Sequence, residues 1–67
     1  MLTPIKSFEK LEELVKKKGM SFYSLSKELG MPTSFFSEWK RGKMMPKVDK
    51  LQKLADYFGV EVTYFLE

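Results

Sequence analysis

A chain of 67 residues with no cysteine and no histidine has few routes to stability or reactivity. Disulfide staples and thiolate metal sites are excluded, the commonest general base and metal ligand is absent, and one small domain held by its apolar core is expected. The net charge of +3, from 12 basic and 9 acidic residues, is a mild excess that points to an anionic partner only through its placement.

A domain of this size buries only about 60 % of its unfolded surface, so its core must be efficient. Six Phe, three Tyr, one Trp and five Met supply the apolar volume. No apolar stretch approaches the ~20 residues of a membrane span. The N-terminus lacks the layout of a secretory signal. A soluble, cytoplasmic protein is expected.

The first helix is predicted over residues 4–18. Ile5, Phe8, Leu11, Leu14 and Val15 recur at helical spacing. Thr3 fits the N-cap and Pro4 the first helical position, with Ser7 as an alternative cap. Gly19 marks the stop. Lysines at 16, 17 and 18 suit the negative end of a helix dipole, or an anionic contact.

Ser21 opens a second helix over 22–29, with Leu25 and Leu29 facing inward and the small Ser26 beside them. Gly30 ends it, and Met31 is expected in the core. A third helix runs over 33–41, since Pro32 is good at a helix start and poor inside. Phe36 and Trp39 form its apolar stripe and Gly42 closes it. Residues 43–46 form a loop, with Pro46 pushing Met45 toward an extended conformation.

A fourth helix is predicted over 47–58 from Val48, Leu51, Leu54, Ala55 and Phe58, with Gly59 as its stop. Residues 61–66 form a short fifth helix. Val60 and Val62 alternate as in a strand, but a lone strand has no partner, so helix is preferred. The fold class is all-α, with five helices around a pair joined by a tight turn.

The residues do not support catalysis. There is no His, no Cys and no glycine-rich phosphate cradle, and the carboxylates lie singly among lysines. No cofactor and no metal is expected. Double-stranded DNA fits better. An α-helix enters the major groove, where base edges carry a readable pattern, and the second helix of such a pair meets those edges. Thr33, Ser34, Ser37 and Glu38 are the candidate base contacts, opposite Phe36 and Trp39. The bland alternative is that Thr33 and Ser34 cap the helix and Glu38 is solvated.

Lys40, Arg41, Lys43, Lys47 and Lys50 fall within eleven residues, next to this helix pair. Arg41, Lys43 and Lys47 are placed for phosphates, which position a protein without reading sequence. Lys40 and Lys50 fit solvation better. The N–H groups at the start of helix 22–29 can also receive a phosphate. Phe35 fits either a contact with thymine methyls or sugars, or packing on a neighbouring helix, and packing is preferred.

Leu25, Leu29, Gly30, Phe36, Trp39 and the run Lys40, Arg41, Gly42, Lys43 resemble the helix-turn-helix of the Cro/phage-repressor family, the XRE-type, lambda-repressor-like DNA-binding domains. The segment KVDKLQKLADYFGVEVTYFL resembles the fourth and fifth helices of prophage repressors of Gram-positive hosts. The likeness covers roughly residues 5–66. It implies a compact five-helix domain that enters the major groove with helix 33–41.

In the family, the positions of Thr33, Ser34 and Glu38 read bases, and Lys43 stands in a phosphate-contacting loop. Many members open the second helix with glutamine. Here Phe22 stands there, so Ser21 or Tyr23 is expected to take part of that role. The glutamate of that helix's capping box is replaced by Ser24.

The resemblance implies transcriptional repression by a homodimer on a near-palindromic operator, with Val62, Tyr64, Phe65 and Leu66 as dimer or core contacts. Full-length repressors carry a C-terminal oligomerisation domain, and a chain stopping at Glu67 fits an isolated DNA-binding domain. Two other readings stay open. One is an antitoxin-like autoregulator on the same fold. The other is a protein-interaction module, suggested by Phe22, Phe35, Met44 and Met45 near the expected DNA face.

Overall fold

The computed structural model describes residues 3–66. Glu67 lies outside them. Five helices follow in order: α1 (Pro4–Lys18), α2 (Phe22–Leu29), α3 (Thr33–Lys40), α4 (Val48–Phe58) and α5 (Thr63–Leu66), and no strand occurs among the described residues. The radius of gyration is 10.8 Å. About 11 Å is the value for a closely packed chain of this length.

Local chemistry sets the helix ends. Thr3 caps α1 by accepting from the Lys6 N–H at 3.2 Å, and Pro4 sits in the first turn. Ser7 is not the cap; it lies fully buried inside α1. Ser21 caps α2. Lys47 is the N-cap of α4 rather than its first helical residue, and Arg41 caps α3 rather than continuing it. The last helix begins at Thr63, not at residue 61. Tyr64 N–H donates to Glu61 and Phe65 N–H to Val62, so residues 61 and 62 wind a tight turn ahead of it.

Trp39 is the hub. It is 0 % exposed, meets Phe8 of α1 edge-on at 5.5 Å and faces Phe65 of α5 at 6.5 Å. α1 packs on α3 and α5, while α2 packs on α3. α4 closes the core with Leu51, Leu54 and Ala55. Met31 is buried in the turn between α2 and α3. Ser26 is buried and spends its hydroxyl on the Tyr23 carbonyl at 2.8 Å. Truncating a buried aromatic such as Trp39 to Ala costs about 3–5 kcal/mol, a large share of the stability of so small a domain.

Two predicted core residues lie outside it. Ile5 is 52 % exposed and Val48 is 62 % exposed. Both stand in the first turn of a helix, where no other element covers them fully. α5 is tied down by polar contacts as well as by Phe65. Lys10 Nζ donates to the Tyr64 carbonyl at 3.0 Å, and Tyr64 Oη donates to Glu13 at 3.5 Å.

Candidate nucleic-acid interface

The outer face of α3 is polar and open. Thr33, Ser34, Ser37 and Glu38 are all exposed, while Phe36 and Trp39 are buried on the other side. The N-cap of α3 is Pro32, and no side chain caps that end. The hydroxyls of Thr33 and Ser34 are therefore not spent on capping. Helical spacing sorts the exposed residues into two rows: Thr33, Ser37 and Lys40 in one, Ser34, Glu38 and Arg41 in the other.

Four helices end in the same way, with a glycine in the left-handed region followed by a backward hydrogen bond. Met20, Met31, Lys43 and Val60 donate their N–H groups to carbonyls five residues back, at Val15, Ser26, Glu38 and Ala55. The residue in this position usually makes an apolar contact. Met31 is buried, and Met20 and Val60 are half-buried against the core. Lys43 is the exception: it is charged and exposed. The α3 turn thus holds an ammonium beside Arg41, at the end of the polar face, where packing alone asks for an apolar side chain.

The opening of α2 carries the other surprise. Ser21 Oγ accepts from the Ser24 N–H at 3.1 Å and donates to Ser24 Oγ at 3.1 Å. One of the N–H donors available for a phosphate is thus already used. Tyr23 is exposed, with Lys27 Nζ 4.8 Å from its ring centre. Phe22 stacks on Phe8 at 5.1 Å and 17° and leans on Phe36 at 5.5 Å. It also lines a cleft of ≈ 220 Å³ with Phe8, Thr33, Phe36, Ser37 and Lys40.

This cleft joins two predicted base-contacting residues to two that the sequence placed elsewhere, Phe22 and Lys40. The signal was present in part, since Thr33, Ser37 and Lys40 share one helical row. The position of Phe22 depends on packing between distant elements, which periodicity does not report.

The other candidates separate. Arg41 and Lys47 are exposed at the two ends of the 41–47 connection, and Lys50 is exposed on α4. Lys53 is exposed as a residue, but its ammonium donates to the Leu29 carbonyl at 2.8 Å. Lys18 lies over the Tyr57 ring at 4.7 Å. Phe35 is half-buried and meets Phe36 edge-on at 5.3 Å and Trp39 at 6.1 Å, both on its own helix rather than on a neighbouring one. Phe22, Phe35, Met44 and Met45 are each partly buried against the core, which limits the apolar surface they leave open. Phe65 is fully buried within the chain, so of the four dimer-or-core residues it closes the core; Leu66 is exposed.

Glu9, Glu12 and Glu13 line a second, more acidic groove, which Lys16, Ser21 and Phe22 also border, so Phe22 stands between the two. No helix among the described residues is long and apolar enough to cross a membrane.

Residues 11–65 match the family described as helix-turn-helix, the greater part of the chain. A protein of Aeropyrum pernix, named "Putative HTH-type transcriptional regulatory protein", is 39 % identical over 56 residues, covering 84 % of this chain and 17 % of its own length. The chain therefore spans about a sixth of that relative. No solved structure matches the chain. With the α2–turn–α3 pair, the polar face of α3 and this match over most of its length, the chain belongs to the XRE/Cro-like helix-turn-helix family of DNA-binding transcription-regulator domains.

Proposed function

We propose that the chain is the operator-binding domain of a phage-type repressor, with α3 in the major groove. Thr33, Ser34, Ser37 and Glu38 read base edges, where hydroxyls donate or accept and a carboxylate accepts from cytosine. Ser21, Tyr23, Arg41, Lys43 and Lys47 contact the backbone and set the register. Glu38 repels phosphates and so lowers affinity for wrong sequences. Bound there, the protein excludes polymerase.

The observation that supports this reading best is the exposed Lys43 at the α3 turn, where three other helix ends place an apolar residue. The dimensions agree with dimeric binding. Half-sites one helical turn apart are separated by ~34–36 Å, and the longest Cα extent of the domain is 29 Å. Two copies seat on successive turns with little surface in contact, and Leu66 is an exposed apolar residue available to such a contact.

The test is a fluorescence-anisotropy titration of duplexes recovered by in vitro selection, repeated across salt. The expected result is a linear fall of log K with log salt, with a slope of about −0.9 per neutralised phosphate. Absence of binding to every selected duplex at low salt overturns the reading.

A further inference from the structure

The cleft between the start of α2 and the face of α3 combines three chemistries. Its floor is aromatic, from Phe8, Phe22 and Phe36, and its rim carries the Thr33 and Ser37 hydroxyls and the Lys40 ammonium. Phe22 is half-buried, fixed from behind by its stack on Phe8 at 5.1 Å and open toward the cleft. A ring held this way presents a rigid apolar surface beside hydrogen-bond donors, at the edge of the helix that faces DNA.

One base edge matches this combination. In the major groove thymine shows an acceptor, O4, next to an apolar C5-methyl. Cytosine offers a donor and no methyl, and the purines offer polar edges only. A serine or threonine hydroxyl can donate to O4 while the methyl covers the ring. Lys40, at the rim, then lies toward the backbone, where an ammonium serves as a phosphate contact.

We propose that Phe22 is a specificity-determining residue that reads a thymine methyl, with Thr33 or Ser37 on thymine O4 and Lys40 on a neighbouring phosphate. The proposal rests on the DNA-binding reading above and adds to it. It gives a residue of α2 a direct part in discrimination, and it gives Lys40 a role beyond solvation.

The test uses the 67-residue chain and a selected duplex. Each thymine of one half-site is replaced in turn by deoxyuridine, which deletes only the 5-methyl. At one position the wild type loses about fourfold in affinity, the worth of one buried methyl. In Phe22→Gln the loss at that position disappears while salt-dependent binding persists. A second readout spares the packing. With Phe22→4-fluorophenylalanine, the fluorine resonance of the complex shifts between the thymine and uracil duplexes. A uracil penalty that survives in Phe22→Gln, a fluorine resonance identical in both complexes, or no uracil-sensitive position at all overturns the proposal. Salt-dependent binding that is indifferent to methyls leaves the DNA-binding reading standing; loss of all duplex binding overturns both.

Discussion

The Ile5 side chain lies directly over Gly42: a Cβ added at Gly42 would stand 3.2 Å from Ile5 Cγ1 and 3.3 Å from Cδ1. Ile5 misses the core, yet it covers the turn that ends α3. Gly42 has a φ of 73°, where an L side chain is strained. Ile5 is half-exposed and can yield a few tenths of an ångström, so strain outweighs crowding. Gly42→Ala should cost about 1–2 kcal/mol. That lowers the melting temperature by about 4–8 °C per kcal/mol in a domain this small. Adding Ile5→Ala should recover almost none of it. Full recovery in the double variant would show that crowding, not backbone strain, sets the cost.

Ser7 gives a prediction of opposite sign. Its Oγ and the Trp39 Nε1 are buried and have no hydrogen-bond partner among the described residues. An unpaired buried polar group costs about 1–3 kcal/mol, while its apolar replacement can be neutral or better. Ala is also the stronger helix former. Ser7→Ala should therefore stabilise the domain by up to about 1 kcal/mol in urea unfolding. Trp39→Phe should not follow it. That change removes the ring that meets Phe8 and Phe65 and leaves a void, so a net loss of about 1–3 kcal/mol is expected.

Helix ends are set by neighbours a few residues away, so Thr3, Ser21, Gly19, Gly30 and Gly59 announce them. Periodicity marks an apolar face but not the element that covers it. Ile5 and Val48 keep the helical spacing and remain exposed. Met44 and Met45 have no spacing to read, and they pack against the core because the loop passes over it. At the candidate site the polar row of α3 was legible from the helical repeat. The stack of Phe22 on Phe8 joins residues on two helices, and only the folded chain brings them together.

The α2 cap can be improved, with a consequence for binding. Ser21 already accepts from the Ser24 N–H, but Ser24 cannot reach back to the Ser21 N–H as a longer acceptor would. Ser24→Glu should complete the reciprocal pair and place a negative charge at the helix N-terminus, adding about 0.3–1 kcal/mol. The same carboxylate would stand beside the proposed phosphate contacts of Ser21 and Tyr23. Thermal melts should show a gain while anisotropy shows weaker binding to all duplexes alike, with unchanged sequence preference. A gain in stability with undiminished affinity would place the start of α2 away from the DNA.

Lys43 and Lys53 carry the same charge but should behave differently. Lys53 is held by the Leu29 carbonyl at 2.8 Å, the last carbonyl of α2, which has no partner within its own helix. Lys43 is exposed at the α3 turn. Methionine keeps most of the lysine stem and removes the ammonium, so it isolates the charge at either site. Lys53→Met should cost about 0.5–1.5 kcal/mol of stability, the net worth of one hydrogen bond, and leave the salt slope of DNA binding unchanged. Lys43→Met should stay within about 0.5 kcal/mol of wild-type stability, as surface changes usually do. It should weaken every duplex alike and make the salt slope shallower by about 0.9. Stability falls only with Lys53→Met, and the salt slope changes only with Lys43→Met. If Lys53→Met flattened the slope as much as Lys43→Met, the phosphate-facing surface would extend along α4, and the contact of Lys53 with Leu29 would have to open when DNA binds.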